Sequence, residues 1–376
     1  MRQPRELKEQ FELRQLSEYA QRVTDTRGRL TPQKACTVRT DYERDIGRII
    51  YSRDFRRMRQ KTQVFFNPRN DHVCTRMEHV LYVNYIASTI GKALGLNSDL
   101  IEAIALGHDI GHAPFGHSGE YELCDCLKKQ GADFDFHHEA HSLRVVDLLA
   151  SHHGEHGLNL TFEVRDGIVS HCGERYGEYH LCPDRDKTEA QVQTSGSTHH
   201  APATLEGCVV RMADKIAYVG RDIEDAARAQ LMDFADIPKQ VRAVLGESNG
   251  EIINTLVCDI INHSLDEDAI NMSVEVGEAL EELLQANVTH IYRAEKISTY
   301  ESISRKIINS LFHGLLAYAD DPEKLAYSQT DVLRDFKHFL EQHPEPQAGN
   351  MRKVTDYIAG MTDHYADRVF TELYQL

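Results

Sequence analysis

The sequence lacks several features that would each indicate a particular class of protein. Its 376 residues contain no long uncharged apolar run, which excludes a membrane-spanning helix. The eight cysteines include no CxxC pair, and only Cys124 and Cys126 lie close together, which favours reduced thiols over a disulfide framework. A Gly-rich loop of the form GxxxxGK[ST] is also absent, so a phosphate site of that kind is excluded. The strongly charged N-terminus excludes a signal peptide, and we expect a folded cytoplasmic protein.

Charge is distributed unevenly along the chain. The formal net charge is -17, which argues against general nucleic-acid affinity. Residues 1–69 nevertheless contain 17 Lys and Arg against 9 Asp and Glu, whereas the remainder contains 25 against 50. A basic segment of this kind would suit an anionic ligand or partner. A solvated, arginine-rich helix surface explains the same pattern equally well.

Helical periodicity dominates the apolar pattern, and few segments alternate as strands do. The predicted helices cover about residues 4–24, 41–59, 74–94, 99–107, 119–129, 137–151, 162–171, 205–230, 238–247, 249–264, 274–287, 298–319, 328–342 and 350–375. Asn97 or Ser98 is the expected N-cap of the predicted helix at 99–107, and Ser118 that of the helix at 119–129. Residues 63–71 are predicted as a short extended piece with a turn, and the polar residues 174–204 as a long surface loop. The fold class is therefore an all-α bundle with at most small hairpins.

The stretch ALGHDIGHAPFGHSGE, from Ala105 to Glu120, is crowded with side chains that ligate metals or transfer protons. Histidine is the commonest protein metal ligand and titrates near neutral pH, and carboxylates bind divalent cations. Core packing alone does not require this composition at the end of an apolar helix. The adjacent pair His108 and Asp109 is therefore the first candidate for a metal site.

Two other predicted helices carry compatible side chains. Arg76 and His79 are three residues apart and share a helix face. Asp214, Tyr218 and Asp222 follow one another at four-residue steps and form one stripe. Asp214 is the natural fourth ligand beside His79 and the His108-Asp109 pair. A divalent cation at such a site would act as a Lewis acid and activate water for attack at phosphorus.

The pattern H…HD…D at these four positions is similar to the HD-domain superfamily of metal-dependent phosphohydrolases. Longer pieces resemble its deoxyguanosinetriphosphate triphosphohydrolase (dNTPase) branch, and together they extend from about Arg53 to Ala366. These pieces are RMEHV, GHDIGHAPFGHSGE, HHEAHSLRVV, VVRMADKIAYVGRDIED and VTDYIAGMTDHYA. The bare pattern has modest specificity, whereas five longer pieces in the same order are highly specific.

The resemblance implies an HD-domain helical bundle with additional peripheral helices. It also implies an enzyme that hydrolyses deoxynucleoside triphosphates (dNTPs) at the α-phosphorus, giving the deoxynucleoside and triphosphate. The cofactor would be a divalent ion of Mn, Mg, Fe, Co or Ni. The resemblance further implies a homo-oligomer, often a hexamer, and in some cases activation by a nucleotide effector or single-stranded DNA.

The resemblance assigns roles residue by residue. The implied metal ligands are His79, His108, Asp109 and Asp214. The implied catalytic residues are His117 as the proton-transferring histidine, Glu120 as the carboxylate that orients it, and His138. The implied substrate contacts are Arg76 and Lys215 for phosphate, Tyr218 and Asp222 for the sugar, and Gln63 near the nucleoside.

Several neighbouring residues are interpreted as structural. His112, His137 and His141 are expected to support the site or to pack. His171, Cys172 and Cys182 could be zinc ligands, but their spacing lacks the close-pair signature, so ordinary thiols are favoured. Asp356, Met361 and Asp363 match the family but receive no catalytic role.

Three segments are predicted along the chain, namely an N-terminal helical segment at 1–52, the catalytic core at 53–230 with its loop at 174–204, and a C-terminal helical region at 231–376. Two other functions remain open. One is a different HD-domain activity, such as that of a nucleotidase or phosphodiesterase. The other is a nucleotide-sensing protein that binds nucleic acid through its basic N-terminal segment.

Overall fold

Helices make up almost all of the regular structure. The computed structural model describes residues 3–63, 74–152, 154–172, 177–198, 200–327, 330–343, 345 and 347–374. The α-helices of these residues are α1 Pro4–Gln15, α2 Asp41–Tyr51, α3 Arg53–Arg57, α4 Arg76–Ala93, α5 Ser98–Gly107, α6 Gly116–Lys129, α7 His138–Arg144, α8 Phe162–Val169, α9 Glu189–Thr198, α10 Leu205–Arg228, α11 Lys239–Leu245, α12 Asn249–Ser264, α13 Val274–Asn287, α14 Glu295–Ala319, α15 Pro322–Ala326, α16 Asp331–Gln342, α17 Asn350–Ala359 and α18 Asp363–Tyr374.

Short helical turns and strands complete the described structure. Three 3₁₀ turns lie at Val23–Asp25, Met58–Gln60 and Phe234–Asp236, and two π turns lie at Val145–Leu149 and Val288–Tyr292. The strands are β1 Ser151–His152, β2 Glu155–His156, β3 His180–Leu181 and β4 Ile270–Asn271. They form two antiparallel pairs of two residues each, β1 with β2 and β3 with β4. The prediction of an all-α fold with at most small hairpins is confirmed.

Helices α4, α5 and α10 form the scaffold on which the site is built. They pack against one another, and α5 also packs against α2 and α8. Burial on nearly every side suits the apolar composition of α5, which includes Leu100, Ile101 and Ile104, each fully buried. Asn97 caps α5 as predicted, since its side chain accepts hydrogen bonds from the amides of Asp99 and Leu100.

The apolar interior consists of two clusters that meet at the histidine-rich stretch. The larger cluster is formed mainly by α2, α4, α5, α8 and α10 to α13. The smaller one joins α6 to α14, α16, α17 and α18. Ile110 belongs to the larger cluster, whereas Ala113 and Phe115 belong to the smaller. The turn between α5 and α6 therefore crosses from one core to the other.

Some predicted helices are shorter or interrupted. The first one ends at Gln15 rather than near residue 24, because the chain turns extended at Leu16 and the Ser17 amide donates to the Gly95 carbonyl over 2.8 Å. Residues 137–151 form an α-helix only to Arg144, then a π turn and strand β1. The C-terminal helix is broken at Gly360 into α17 and α18. Tertiary docking and local breakers override helix propensity in these places.

Two further local predictions were wrong. The predicted loop at 174–204 contains β3 and α9, because buried Lys187 donates to Asp166 over 2.7 Å and holds the segment against the core. Residues 173–176 and 199 of this stretch lie outside the described residues. The N-cap of α6 is Phe115 rather than Ser118, since the helix already begins at Gly116. The predicted extended piece at 63–71 falls almost wholly outside the described residues.

None of the described helices combines the length and the apolar character that crossing a bilayer requires.

Candidate active site

Three helices bring the four predicted metal ligands together. His79 lies in the first turn of α4, His108 and Asp109 follow the end of α5, and Asp214 lies in the middle of α10. Nε2 of His79 lies 2.8 Å from Oδ1 of Asp214 and 3.9 Å from Oδ2 of Asp109. Nε2 of His108 lies 3.8 Å from a carboxylate oxygen of each aspartate. Two imidazoles and two carboxylates thus converge on one buried point.

The orientation of His108 fits a metal ligand. Its Nδ1 lies 2.7 Å from the carbonyl oxygen of Ala105, which accepts the Nδ1–H and leaves a lone pair on Nε2. That Nε2 is fully buried and has no hydrogen-bond partner within the described part of the chain. A buried, unpaired nitrogen is costly unless it binds something. The donor set therefore fits a divalent cation held by nitrogen and carboxylate oxygen.

Arg76 contacts this set directly. Its Nη1 lies 2.6 Å from Oδ2 of Asp109, and only 2% of Arg76 is exposed. Burial alone would raise the pKa of Asp109, but Arg76 and the neighbouring histidines outweigh burial and hold that pKa well below its usual range. Asp109 is therefore a carboxylate and can ligate a cation at any physiological pH.

His171 joins the centre, although its sequence context indicated no such place. It follows α8, and its ring centroid lies 4.8 Å from that of His108. Its Nδ1 lies 2.6 Å from the Ile168 carbonyl oxygen, and no described residue forms a hydrogen bond with its buried Nε2. His108 and His171 each lie at the end of a buried helix, and each contacts the backbone carbonyl oxygen of the residue three positions earlier. This shared context was the one signal in the sequence that could have identified His171.

The proton-transfer cluster lies on the other side of the turn. Nδ1 of His117 is 3.5 Å from Oε2 of Glu120, and Nδ1 of His138 is 3.0 Å from the same oxygen. The backbone amide of His138 also donates to Glu120, over 2.9 Å. Burial opposes ionisation of both partners, yet their mutual attraction raises the pKa of His138 well above its usual range and holds that of Glu120 well below. Glu120 contacts both histidines, and its shorter contacts are with His138.

His112 lies closer to the centre than its predicted supporting role suggested. Its ring stacks on that of His138 with centroids 4.0 Å apart, and its Nε2 lies 3.5 Å from Oδ1 of Asp109. Burial lowers the pKa of His112 well below its usual range, so the ring is neutral. By contrast, Nδ1 of His141 binds the Gly111 carbonyl oxygen over 2.8 Å, and this contact holds the turn.

The turn from α5 to α6 requires unusual backbone angles and a close backbone approach. Phe115 and Gly116 both have positive φ, at 63° and 60°. A Cβ on Gly111 would lie 2.2 Å from the Ser142 amide nitrogen, so only glycine fits there. Asp363 accepts the Phe115 amide over 2.9 Å and the Thr62 amide over 2.9 Å. Asp363, given no catalytic role from the sequence, thus ties the C-terminal helices to the turn.

A cavity of about 520 Å³ opens onto both sets of residues. Of the predicted substrate contacts, Gln63, Arg76, Tyr218 and Asp222 line it. Lys215 does not line the cavity, and it is buried, with 2% exposed. The predicted phosphate contact of Lys215 stays a prediction. His79, Asp109 and Asp214 line the cavity together with His117 and His138.

The C-terminal half contributes cavity residues that the sequence did not indicate. Tyr292 and Arg293 line the wall, and the Tyr292 hydroxyl donates to Asp222. Burial raises the pKa of Asp222 to about 7. Cys172 also lines the cavity, whereas Cys182 is exposed beside His180.

Comparison with known proteins gives two matching families and many relatives. The HD domain family matches residues 76–219, a range that contains all four predicted metal ligands and the proton-transfer cluster. The phosphohydrolase-associated domain family matches residues 270–372.

Three similar relatives are each named "Deoxyguanosinetriphosphate triphosphohydrolase-like protein". The relative from Caldanaerobacter subterraneus subsp. tengcongensis is 40% identical, covering 98% of this chain and 95% of its own length. The relative from Desulfatibacillum aliphaticivorans is 39% identical, covering 96% of this chain and 95% of its own length. The relative from Clostridium tetani is 37% identical, covering 93% of this chain and 90% of its own length.

Proposed function

The chain belongs to the family of deoxyguanosinetriphosphate triphosphohydrolase-like proteins and is a metal-dependent HD-domain hydrolase, and we propose that its substrates are deoxynucleoside triphosphates. In this proposal the chain hydrolyses the substrate at the α-phosphorus and releases the deoxynucleoside and triphosphate. The names of the relatives support this substrate class. The observation that carries the proposal is that one cavity exposes His79, Asp109 and Asp214 beside His117 and His138.

The proposed metal ligands are His79, His108, Asp109 and Asp214. When bound, a divalent cation supplies Lewis acidity and activates water for attack at phosphorus. The mixture of imidazole and carboxylate suits Mn²⁺ or Fe²⁺, with Mg²⁺, Co²⁺ and Ni²⁺ as further candidates. The ligands are rigid, because His79 and His108 sit at the ends of packed helices and are each at most 3% exposed.

Positive side chains in the same cavity suit the triphosphate. Arg76 and Arg293 line the wall, and Arg forks match phosphate oxygens. The raised pKa of His138 keeps it protonated near neutral pH, so it adds positive charge beside them. Lys215 directly follows Asp214 in the chain, and we assign it to the same phosphate group.

His117 is the proposed proton donor to the leaving 5′-oxygen. It is the most exposed member of its cluster, with 60% of its side chain accessible, so the ring can reach a bound substrate. Oε2 of Glu120 contacts Nδ1 of both His117 and His138. Tyr218 and Asp222 lie on the same face of α10 as Asp214, and we assign them to the deoxyribose. Gln63, also on the wall, is placed near the nucleoside.

We further propose a cytoplasmic homo-oligomer, such as a hexamer, with a nucleotide effector or single-stranded DNA as a regulator. The resemblance of the sequence to the family supports these points. Light scattering with and without each regulator tests the oligomeric state and its response to the regulator.

The product pattern tests the proposed reaction. The full-length protein, loaded with Mn²⁺, is incubated with each of the four dNTPs and with the matching NTPs. Release of intact triphosphate and a deoxynucleoside supports the proposal. Release of orthophosphate or a monophosphate instead identifies another HD-domain activity, and DNA binding without turnover identifies the nucleic-acid-binding alternative.

A further inference from the structure

One buried histidine has no task in the proposed reaction. His171 is 1% exposed, and its Nδ1 is occupied by the Ile168 carbonyl oxygen at 2.6 Å. Its Nε2 is fully buried and has no hydrogen-bond partner among the residues that the structure describes. Because the Nδ1–H donates to the Ile168 carbonyl oxygen, Nε2 carries the lone pair of the ring. A buried polar nitrogen is normally paired, so this lone pair is available for a ligand.

A second imidazole presents its Nε2 to the same place. His138 uses Nδ1 to contact Glu120 at 3.0 Å, so Nε2 is the nitrogen left for another partner. That Nε2 lies 3.2 Å from Sγ of Cys172. The ring centroids of His138 and His171 are 5.4 Å apart. Each ring is thus held from behind by an oxygen, as is usual for histidines that ligate metals.

We propose that His138, His171 and Cys172 form a second cation site, adjacent to the first, that takes a thiophilic ion such as Zn²⁺. Their three ligand atoms lie within 4.8 Å of one another. Zn–S and Zn–N bonds of about 2.3 and 2.0–2.1 Å place tetrahedral ligand atoms roughly 3.5 Å apart. The observed 3.2 Å between sulfur and nitrogen therefore needs to open by only a few tenths of an ångström.

The two sites differ in the ions that they prefer. The first has two imidazoles and two carboxylates, a set that suits Mn²⁺ or Fe²⁺. The second replaces the carboxylates with a thiolate, which favours Zn²⁺. Cys172 lines the cavity, so a fourth position of the second ion faces the substrate space.

Occupation of the second site would inhibit the enzyme. Zn²⁺ on Nε2 of His138 displaces the proton from that nitrogen, so the ring can no longer donate a hydrogen bond from it to the substrate. This consequence rests on the proposed function, whereas the binding of the ion does not.

His171 also lies within 4.8 Å of ligand atoms of His108 and Asp214, so it could instead serve the first ion. The two assignments differ in one respect. If His171 serves the first ion, its loss lowers Mn²⁺ binding and Cys172 contacts no metal. If His171 belongs to the second site, loss of His171 and loss of Cys172 each weaken binding of the same ion, which the Cys172 thiolate ligates.

Cobalt spectroscopy tests the proposal without relying on activity. The full-length protein receives one equivalent of Mn²⁺ and is then titrated with Co²⁺, and the near-ultraviolet thiolate-to-Co²⁺ charge-transfer band is recorded. We expect this band in the wild type and its loss in Cys172→Ser and His171→Ala. Cys182→Ser is the matched control, because Cys182 also lies beside a histidine, at 3.0 Å from Nε2 of His180, but belongs to no three-ligand group of the described residues.

Binding and activity then separate the two proposals. We expect the wild type to bind one more equivalent of Zn²⁺ than Cys172→Ser, and Zn²⁺ to inhibit dNTP hydrolysis at least tenfold more strongly in the wild type. Circular dichroism establishes that each variant is folded. A wild type without the band, or a band that survives in Cys172→Ser, overturns the second site, as does loss of Mn²⁺ in His171→Ala with the band retained. A band in a protein that hydrolyses no dNTP supports the second site and contradicts the proposed function.

Discussion

Nε2 of His79 lies 2.8 Å from Oδ1 of Asp214, although the two residues are 135 positions apart in the chain. The contact joins the first turn of α4 to the middle of α10. Burial favours neutral His79, but Asp214 and Asp109 outweigh it and raise its pKa, while the pKa of Asp214 is lowered to about 2. A cation at this point would take the place of the proton that the pair shares.

Removing either member of this pair should remove the metal. We expect His79→Ala and Asp214→Ala, after removal of unbound ions by gel filtration, to contain little Mn²⁺ by mass spectrometry and to lose hydrolytic activity together. His263→Ala is the control, since His263 is exposed on α12. A variant that keeps its full metal content would show that the residue is not a ligand.

Loss of His117 should separate chemistry from metal binding. His117→Ala removes the proposed proton donor and none of the four proposed ligands. We expect normal metal content and a kcat lowered by roughly 10² to 10⁴, the usual contribution of a general acid or base. Turnover at the wild-type rate would exclude His117 from the reaction. Full-length His263→Ala protein again serves as the control.

Tyr218 should set the preference for deoxyribose. Its side chain is half-buried in the cavity wall, on the same helix face as Asp214 and Asp222, and a ring packed against the sugar would keep water from a ribose hydroxyl. We expect Tyr218→Ala to narrow the ratio of kcat/KM for dNTP over the matching NTP by at least tenfold. The control is Tyr85→Ala, because Tyr85 is 70% exposed on α4. An unchanged ratio would assign the selectivity to another residue.

Asp356 should matter for stability. It accepts from Arg144 through both carboxylate oxygens, at 2.7–3.0 Å, and joins α17 to α7 while 3% exposed. Because its loss removes these hydrogen bonds to a charged group and leaves Arg144 with Glu345, Asp356→Ala should lower the free energy of unfolding by about 1.5–3 kcal/mol in urea titrations. Asp331→Ala, which breaks an exposed pair with Arg334, should cost at most about 1 kcal/mol. Equal losses in the two variants would contradict the prediction.

Glu206 should make stability depend on pH. Burial raises its pKa to about 7 from an ordinary 4.5, so between these values the folded state holds a proton that the unfolded state releases. Stability therefore falls as pH rises through this window, by about 3 kcal/mol in total at roughly 1.4 kcal/mol per unit. Glu206→Gln should lack this fall, as measured by urea titration at several pH values. The exposed carboxylate variant Glu323→Gln should instead follow the wild-type curve; if Glu206→Gln does so too, the assignment fails.

Most helices were predictable because their causes are local. The apolar residues of α5 and its Asn97 cap lie within one short segment, and α12 and α13 begin and end at the predicted residues. Segments ordered by distant partners were not predictable. Strand β3 and helix α9 are an example, because the nearby Lys187 is anchored on Asp166, in a preceding helix.

The sequence by itself determined the helical class and the family, and it placed His108 next to Asp109 at the end of a buried helix. Adjacency in the chain and periodicity are short-range properties, so they can be recognised without knowledge of the fold. Only the tertiary structure decided that His171 and Cys172 reach His138, and that Tyr292 and Arg293 join the cavity wall. These relationships depend on the packing of helices that are far apart in the chain, and neither spacing nor composition encodes such packing locally.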